Sequence, residues 1–104
     1  MKAFITAYQK NCAFCGKPFP LDRHHLVFGR GKRPLADEDG LVIPVRKNCH
    51  NIGPITGRIH DNPMAEKLSK MLGQLAYEKS QVAAGLSEED AREKFRRRYG
   101  ESYL

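Results

Sequence analysis

"RHHLVFGRGKRPLADEDGLVIPVRKNCHN", residues 23–51, is the stretch on which the fold turns. His24 and His25 stand side by side, and "HHLVF" is β-branched and aromatic until Gly29 breaks it, the pattern of a strand over 24–28. Residues 29–40 carry Gly, Pro and a run of charges, the composition of a loop. "LVIPV", residues 41–45, reads as a second strand, which Pro44 confines to an edge or a bulge. "RKNCHN" then opens a short helix or turn that Gly53-Pro54 ends.

Upstream, residues 2–8 read as a short strand or an extended lead-in. Cys12 and Cys15 form a C-x-x-C in "CAFCGKPFP", where Gly and Pro allow a tight loop with both sulfurs on one ion. A redox pair or two inert thiols are the other readings of that motif, weakened by the absence of a βαβ pattern around it. Downstream the chemistry changes. Asn62-Pro63 is a helix start, and Met64, Leu68, Met71, Leu72, Leu75 and Val82 follow at helical spacing. That stripe is expected to pack on the core or on a partner helix. Gly85 stops this helix. Ser87 caps a second one, with Leu86 placed to staple onto Ala91, and it carries Ala91, Phe95 and Tyr99 on one face before Gly100. The expected organisation is a core over 1–62 and a helical C-terminal extension over 63–104 packed on it.

A chain of 104 residues buries roughly 65% of its unfolded surface, so a bound metal would help hold so modest a core. No apolar run approaches a membrane span and no signal-peptide pattern opens the chain, so the expectation is a cytoplasmic, intracellular protein with no membrane partner. In such a compartment Cys12, Cys15 and Cys49 are not expected to form disulfides. The net charge is +6, and residues 1–62 hold ten Lys/Arg against five Asp/Glu. The basic excess therefore surrounds the histidines and cysteines, which fits a polyanion such as nucleic acid, although charge alone also serves solubility.

All four histidines, His24, His25, His50 and His60, fall within residues 24–60. A neutral imidazole serves both as a metal ligand and as a general base near neutral pH. Neighbours on a regular strand point to opposite faces, so His24 and His25 are suited to different tasks, one as ligand and one as base.

"CAFC", "RHHLVFG", "DGLVIPVRKNCHN" and "RIH" together resemble the HNH, or ββα-metal, nuclease family, in particular its small phage and prophage members; the likeness covers about residues 12–62, and "NPMAEKLSKMLGQLAYE" is similar to the same group. The resemblance implies an α+β fold: a ββα-metal core, a zinc-knuckle-like N-terminal segment and two C-terminal helices. It implies His24 as a metal ligand, His25 as the general base, His50 as a second ligand, and His60 as a third ligand or a contact to the scissile phosphate. The ion would be divalent, Mg2+, Mn2+, Ni2+ or Zn2+, and Cys12, Cys15 and Cys49 would hold a structural Zn2+. Where family members carry a further cysteine this chain has Arg46, so either the fourth zinc ligand comes from elsewhere or the site is incomplete. His50 can serve, but only by leaving the other metal. Asp39 or Gly40 stands where the family's middle Asn falls, and the Asp39 carboxylate can brace the loop instead.

The activity so implied is hydrolysis of DNA phosphodiesters with weak sequence preference, by a monomer or homodimer. His25 would deprotonate water, the metal would offset charge growing on the phosphate, and Arg30, Lys32, Arg33 and Arg58 would hold the backbone. The rival is a non-catalytic zinc-knuckle module or phage regulator that binds nucleic acid. It explains the cysteines and the charge but gives His25 nothing to do.

Overall fold

A computed structural model describes residues 4–104. Its two strands, β1 (Leu21–His25) and β2 (Val42–Arg46), form an antiparallel hairpin in which His24 lies opposite Ile43 and Arg23 opposite Pro44. With two strands among the described residues each is an edge, so Pro44 fits without interrupting a ladder on its outer side; its carbonyl accepts from Ala13 N at 2.8 Å. Residues 2 and 3 of the expected lead-in lie outside the described residues. From Phe4 onward that segment is not a strand, although Ile5 N bonds Val42 O at 3.2 Å.

β1 runs over 21–25, not the expected 24–28. The reason lies in Leu26 and Val27, which are adjacent and both fully buried. A two-faced strand would send one of them to the other side, so the ladder ends at His25 and the pair turns into the core, with Leu26 N still bonded to Leu41 O at 2.8 Å. The start of the strand reaches back into "LDR" because its charges find partners: Lys47 with Asp22, and Asp37 with Arg23. The stretch expected to be loop over 29–40 contains a helix, α1 (Arg33–Glu38), with Pro34 in its first turn and Ala36 buried. Gly40, at φ +72°, turns the chain into β2, which is displaced one residue from the expected 41–45 because Leu41 N bonds Ala36 O rather than the hairpin.

After β2 come a π-helical turn at Asn48–Ile52 and a 3-10 turn at Ile55–Gly57. Two long helices follow, α2 (Pro63–Ala83) and α3 (Glu88–Tyr99). Both begin on the expected caps: Asn62 Oδ1 accepts from Ala65 N and Ser87 Oγ from Asp90 N. Gly85 and Gly100, both at positive φ, follow their ends.

α3 buries Ala91, Phe95 and Tyr99 as its spacing predicts. α2 does not bury its apolar stripe in the core. Met64 is 71% exposed, Leu68 63%, and Leu72, Leu75 and Val82 are exposed as well. The face it buries is Ser69, Gly73, Gln74 and Tyr77. Gly73 explains the choice: a Cβ there would lie 2.7 Å from Val27 Cγ2 and 3.0 Å from Leu26 Cβ, so the helix rests on the end of β1 through a bare backbone. Gln74 is buried without cost in unmet hydrogen bonds, because Tyr103 N donates to its Oε1 at 2.6 Å while its Nε2 donates to Glu78 and Ser102. The resulting core joins Leu26, Val27, Ala36 and Leu41 to Tyr77, Phe95 and Tyr99, and a smaller cluster gathers Cys12, Val45, Cys49 and Ile59. These elements make a small, compact α+β domain. Among the described residues no helix is long and apolar enough to cross a membrane.

Candidate metal centre

β1 delivers His24 to the buried side of the hairpin, where its side chain is fully enclosed. Its Nε2 lies 2.8 Å from Ser69 Oγ, and Ser69 donates its only hydroxyl proton to Leu26 O at 2.8 Å. The hydroxyl must therefore accept from His24, which assigns the Nε2–H tautomer and leaves a lone pair on Nδ1. That Nδ1 is buried without a hydrogen-bond partner among the described residues. Burial above all, helped by the charges of His50, His60, His25 and Arg33, pushes the His24 imidazolium down to about 3. The ring is thus neutral across ordinary pH, as a ligand must be.

The segment after β2 brings two more imidazoles to the same place. Ile59 N bonds Cys49 O and His60 N bonds His50 O, pairing the backbone of 59–60 with that of 49–50. Ring centroids of His24, His50 and His60 then lie 4.6–5.3 Å apart, and one nitrogen from each falls within 4.8 Å of the others. His50 Nδ1 donates to Asp22 Oδ2 at 3.1 Å, which places the lone pair of the neutral ring on Nε2. This Nε2 sits 3.0 Å from His60 Nε2, while His60 Nδ1 faces Glu66 Oε2 at 3.6 Å. A proton on His60 Nε2 makes this contact a hydrogen bond, and with the proton on His60 Nδ1 two lone pairs converge where a cation could sit. Burial and the charge of His50 lower the His60 pKa, with Glu66 opposing, so the ring is held back from its doubly protonated form. Phe28 walls the group, 4.7 Å from the His60 ring and 5.8 Å from that of His24. Three clustered imidazoles, each with its outer nitrogen facing an oxygen, make a donor set compatible with metal binding. The orphaned Nδ1 of His24 is the observation that fits the ion to the site.

His25 points elsewhere. Its Nε2 lies 3.2 Å from Asp37 Oδ1 on α1, and Arg23 Nε donates to the same oxygen at 2.9 Å. Those two bonds, Arg23's first, hold the Asp37 carboxyl below its ordinary range, so it is an ionised acceptor for the His25 Nε2–H, which places the lone pair of the neutral ring on Nδ1.

The four expected phosphate contacts separate into two kinds. Arg30 and Arg33 are exposed and make no ion pair among the described residues, and the charge of Arg33 reaches both His24 and His60. Lys32 instead donates to Glu101 and to the Tyr103 hydroxyl, both at 2.9 Å. Arg58 clamps the loop it stands on, donating to the carbonyls of Asn51, Gly53 and His60 and pairing with Asp61. Asp39 does brace the loop, but against α3, accepting from Arg98 Nε at 2.7 Å and Tyr99 Oη at 2.6 Å.

The sulfurs of Cys12, Cys15 and Cys49 form a second group within 4.8 Å of one another. The backbone N–H groups of Phe14 and Cys15 both point at Cys12 Sγ, at 3.3 Å, as a knuckle arranges them around a thiolate. His50 is not the fourth member, since it stands with the other histidines. Arg46 is the neighbour instead: its Nη1 approaches Cys15 Sγ at 4.0 Å. A backbone bond from Lys17, with contributions from Cys49, Cys12 and Arg46, brings Cys15 down to about 7, whereas burial pushes Cys49 up to about 12. Both the cysteine and the histidine groups have a geometry compatible with metal binding.

Residue types and spacing did not single out Ser69, Glu66, Asp22 and Asp37. Asp22, two positions before His24, carries a sequence signal only in hindsight, and Ser69, 45 residues from His24, carries none. No family model, characterised protein or solved structure matches the chain.

Proposed function

We propose that the protein is a metal-dependent endonuclease of the HNH kind, hydrolysing DNA phosphodiesters through the histidine centre. The observation that carries the reading is the division within one dipeptide: His24 turns into a three-imidazole cluster, while His25 is held by Asp37 with a nitrogen free to accept a proton. His24, His50 and His60 would hold a divalent ion, whose charge would stabilise the phosphate as negative charge grows on its oxygens. His25 takes a proton from water at Nδ1, and Asp37 stabilises the imidazolium that results. Arg33, with Arg30 beside it, anchors the backbone phosphates near the centre and Phe28 restricts water there.

The thiol cluster favours a second reading, a zinc-holding nucleic-acid-binding module without catalysis. Supercoiled plasmid separates the two. With Mg2+, Mn2+, Ni2+ or Zn2+ the nuclease reading expects conversion to nicked or linear DNA, abolished by chelator. Retarded but uncut plasmid under every metal would leave the binding module in its place.

A further inference from the structure

Ser69 lies on a helix beyond the histidine segment, yet it is buried against the most enclosed of the three rings. We infer that α2 is part of the metal site, its outer shell: Ser69 fixes the tautomer of His24 and Glu66 steadies His60. This inference rests on the metal reading above.

The case begins with one proton. A serine within a helix commonly bonds a carbonyl of its own preceding turn. Ser69 instead donates across to Leu26 O, two residues after His24, and that bond leaves the hydroxyl able only to accept from His24 Nε2. The imidazole cannot turn its Nε2 lone pair outward, so Nδ1 is the nitrogen presented to an ion. Glu66 and Ser69, three residues apart, share one face of α2. Glu66 Oε2 is bonded by Asp61 N at 3.1 Å and lies 3.6 Å from His60 Nδ1. Asp61 occupies the left-handed region at φ +67°, and this turn swings the chain from His60 directly into the helix that supports it. β1 makes the matching provision for His50 through Asp22. Each of the three rings thus has its own oxygen partner, and α2 supplies two of them. Gly73, one turn beyond Ser69, lets the helix lie close enough to do so. The helix is therefore needed for the ion as well as for the core.

The test is a Zn2+ titration of the whole chain followed on the histidine imidazole 15N resonances, which report the three rings individually and apart from the thiols. In the wild-type chain, metal-free His24 should show the Nε2–H tautomer and zinc should add at Nδ1. Ser69→Ala should release that tautomer and weaken zinc at the histidines by about 10–100-fold, the usual cost of an outer-shell partner, while the cysteine group keeps its affinity. A variant that binds zinc at the histidines as tightly as wild type, with the tautomer unchanged, overturns the inference. Wild-type histidine resonances indifferent to zinc overturn the metal reading itself. Should Ser69→Ala fail to fold, Glu66→Gln takes over at a partly exposed position, with a weakening of up to about 10-fold expected and unchanged affinity counting against it.

Discussion

Lys32 and Arg33 are neighbours, and their surroundings give them different uses. Lys32 is drawn to the C-terminal segment, where Glu101, the Tyr103 hydroxyl and the Tyr103 ring meet its ammonium. Arg33 and Arg30 remain directed to solvent. Each Lys or Arg that meets a phosphate adds roughly 0.9 to the slope of log affinity against log salt. Arg30→Ala combined with Arg33→Ala should therefore flatten the salt dependence of DNA binding by about one to two units. Lys32→Ala should leave the slope alone and lower the melting temperature instead. Fluorescence anisotropy across a salt series checks the first, and a thermal melt the second. A slope that follows Lys32 rather than the two arginines would reverse the assignment. Composition made all three residues look alike. The difference comes from a partner 69 positions away in sequence, which no local pattern records.

At the scale of elements, legibility followed length and capping. α2 and α3 were readable because Asn62-Pro63 and Ser87 mark their starts and many residues carry their period. α1 was not, because six residues with one buried position give less than two turns of pattern. The buried face of α2 was unreadable for a different reason. Periodicity finds apolar residues, whereas this helix buries a serine, a glycine and a glutamine and leaves Leu68 and Leu72 beside an open groove of about 440 Å³ framed by Ile5, Tyr8 and Phe14. Gly73 gives the sharpest test of that packing. In an exposed helix Gly→Ala would stabilise by about 1 kcal/mol. Here the added methyl must displace Val27 and Leu26, so Gly73→Ala should destabilise by about 1–3 kcal/mol in urea unfolding. A stabilised variant would mean that α2 does not rest on the end of β1.

Across the whole molecule, the hairpin, the turns after it and α2 converge on one point, and the histidines are where they meet. The ring-bearing residues were legible because four histidines in 37 positions are hard to assign to a core or a surface. Their supports were not, since Asp22, Glu66, Ser69 and Asp37 acquire their roles only when distant elements pack. The same packing separates His24 from His25: adjacent on β1, one looks to α2 and the other to α1. The central claim is that this pair divides ligand from base, and the measurement that tests it is metal binding by calorimetry beside plasmid cleavage for His24→Ala and His25→Ala. His25→Ala should lose on the order of 100-fold or more in cleavage while binding metal and DNA as before. His24→Ala should lose affinity for the divalent ion, with cleavage partly restored by excess metal. Two variants that both cut plasmid like the wild type would contradict the claim.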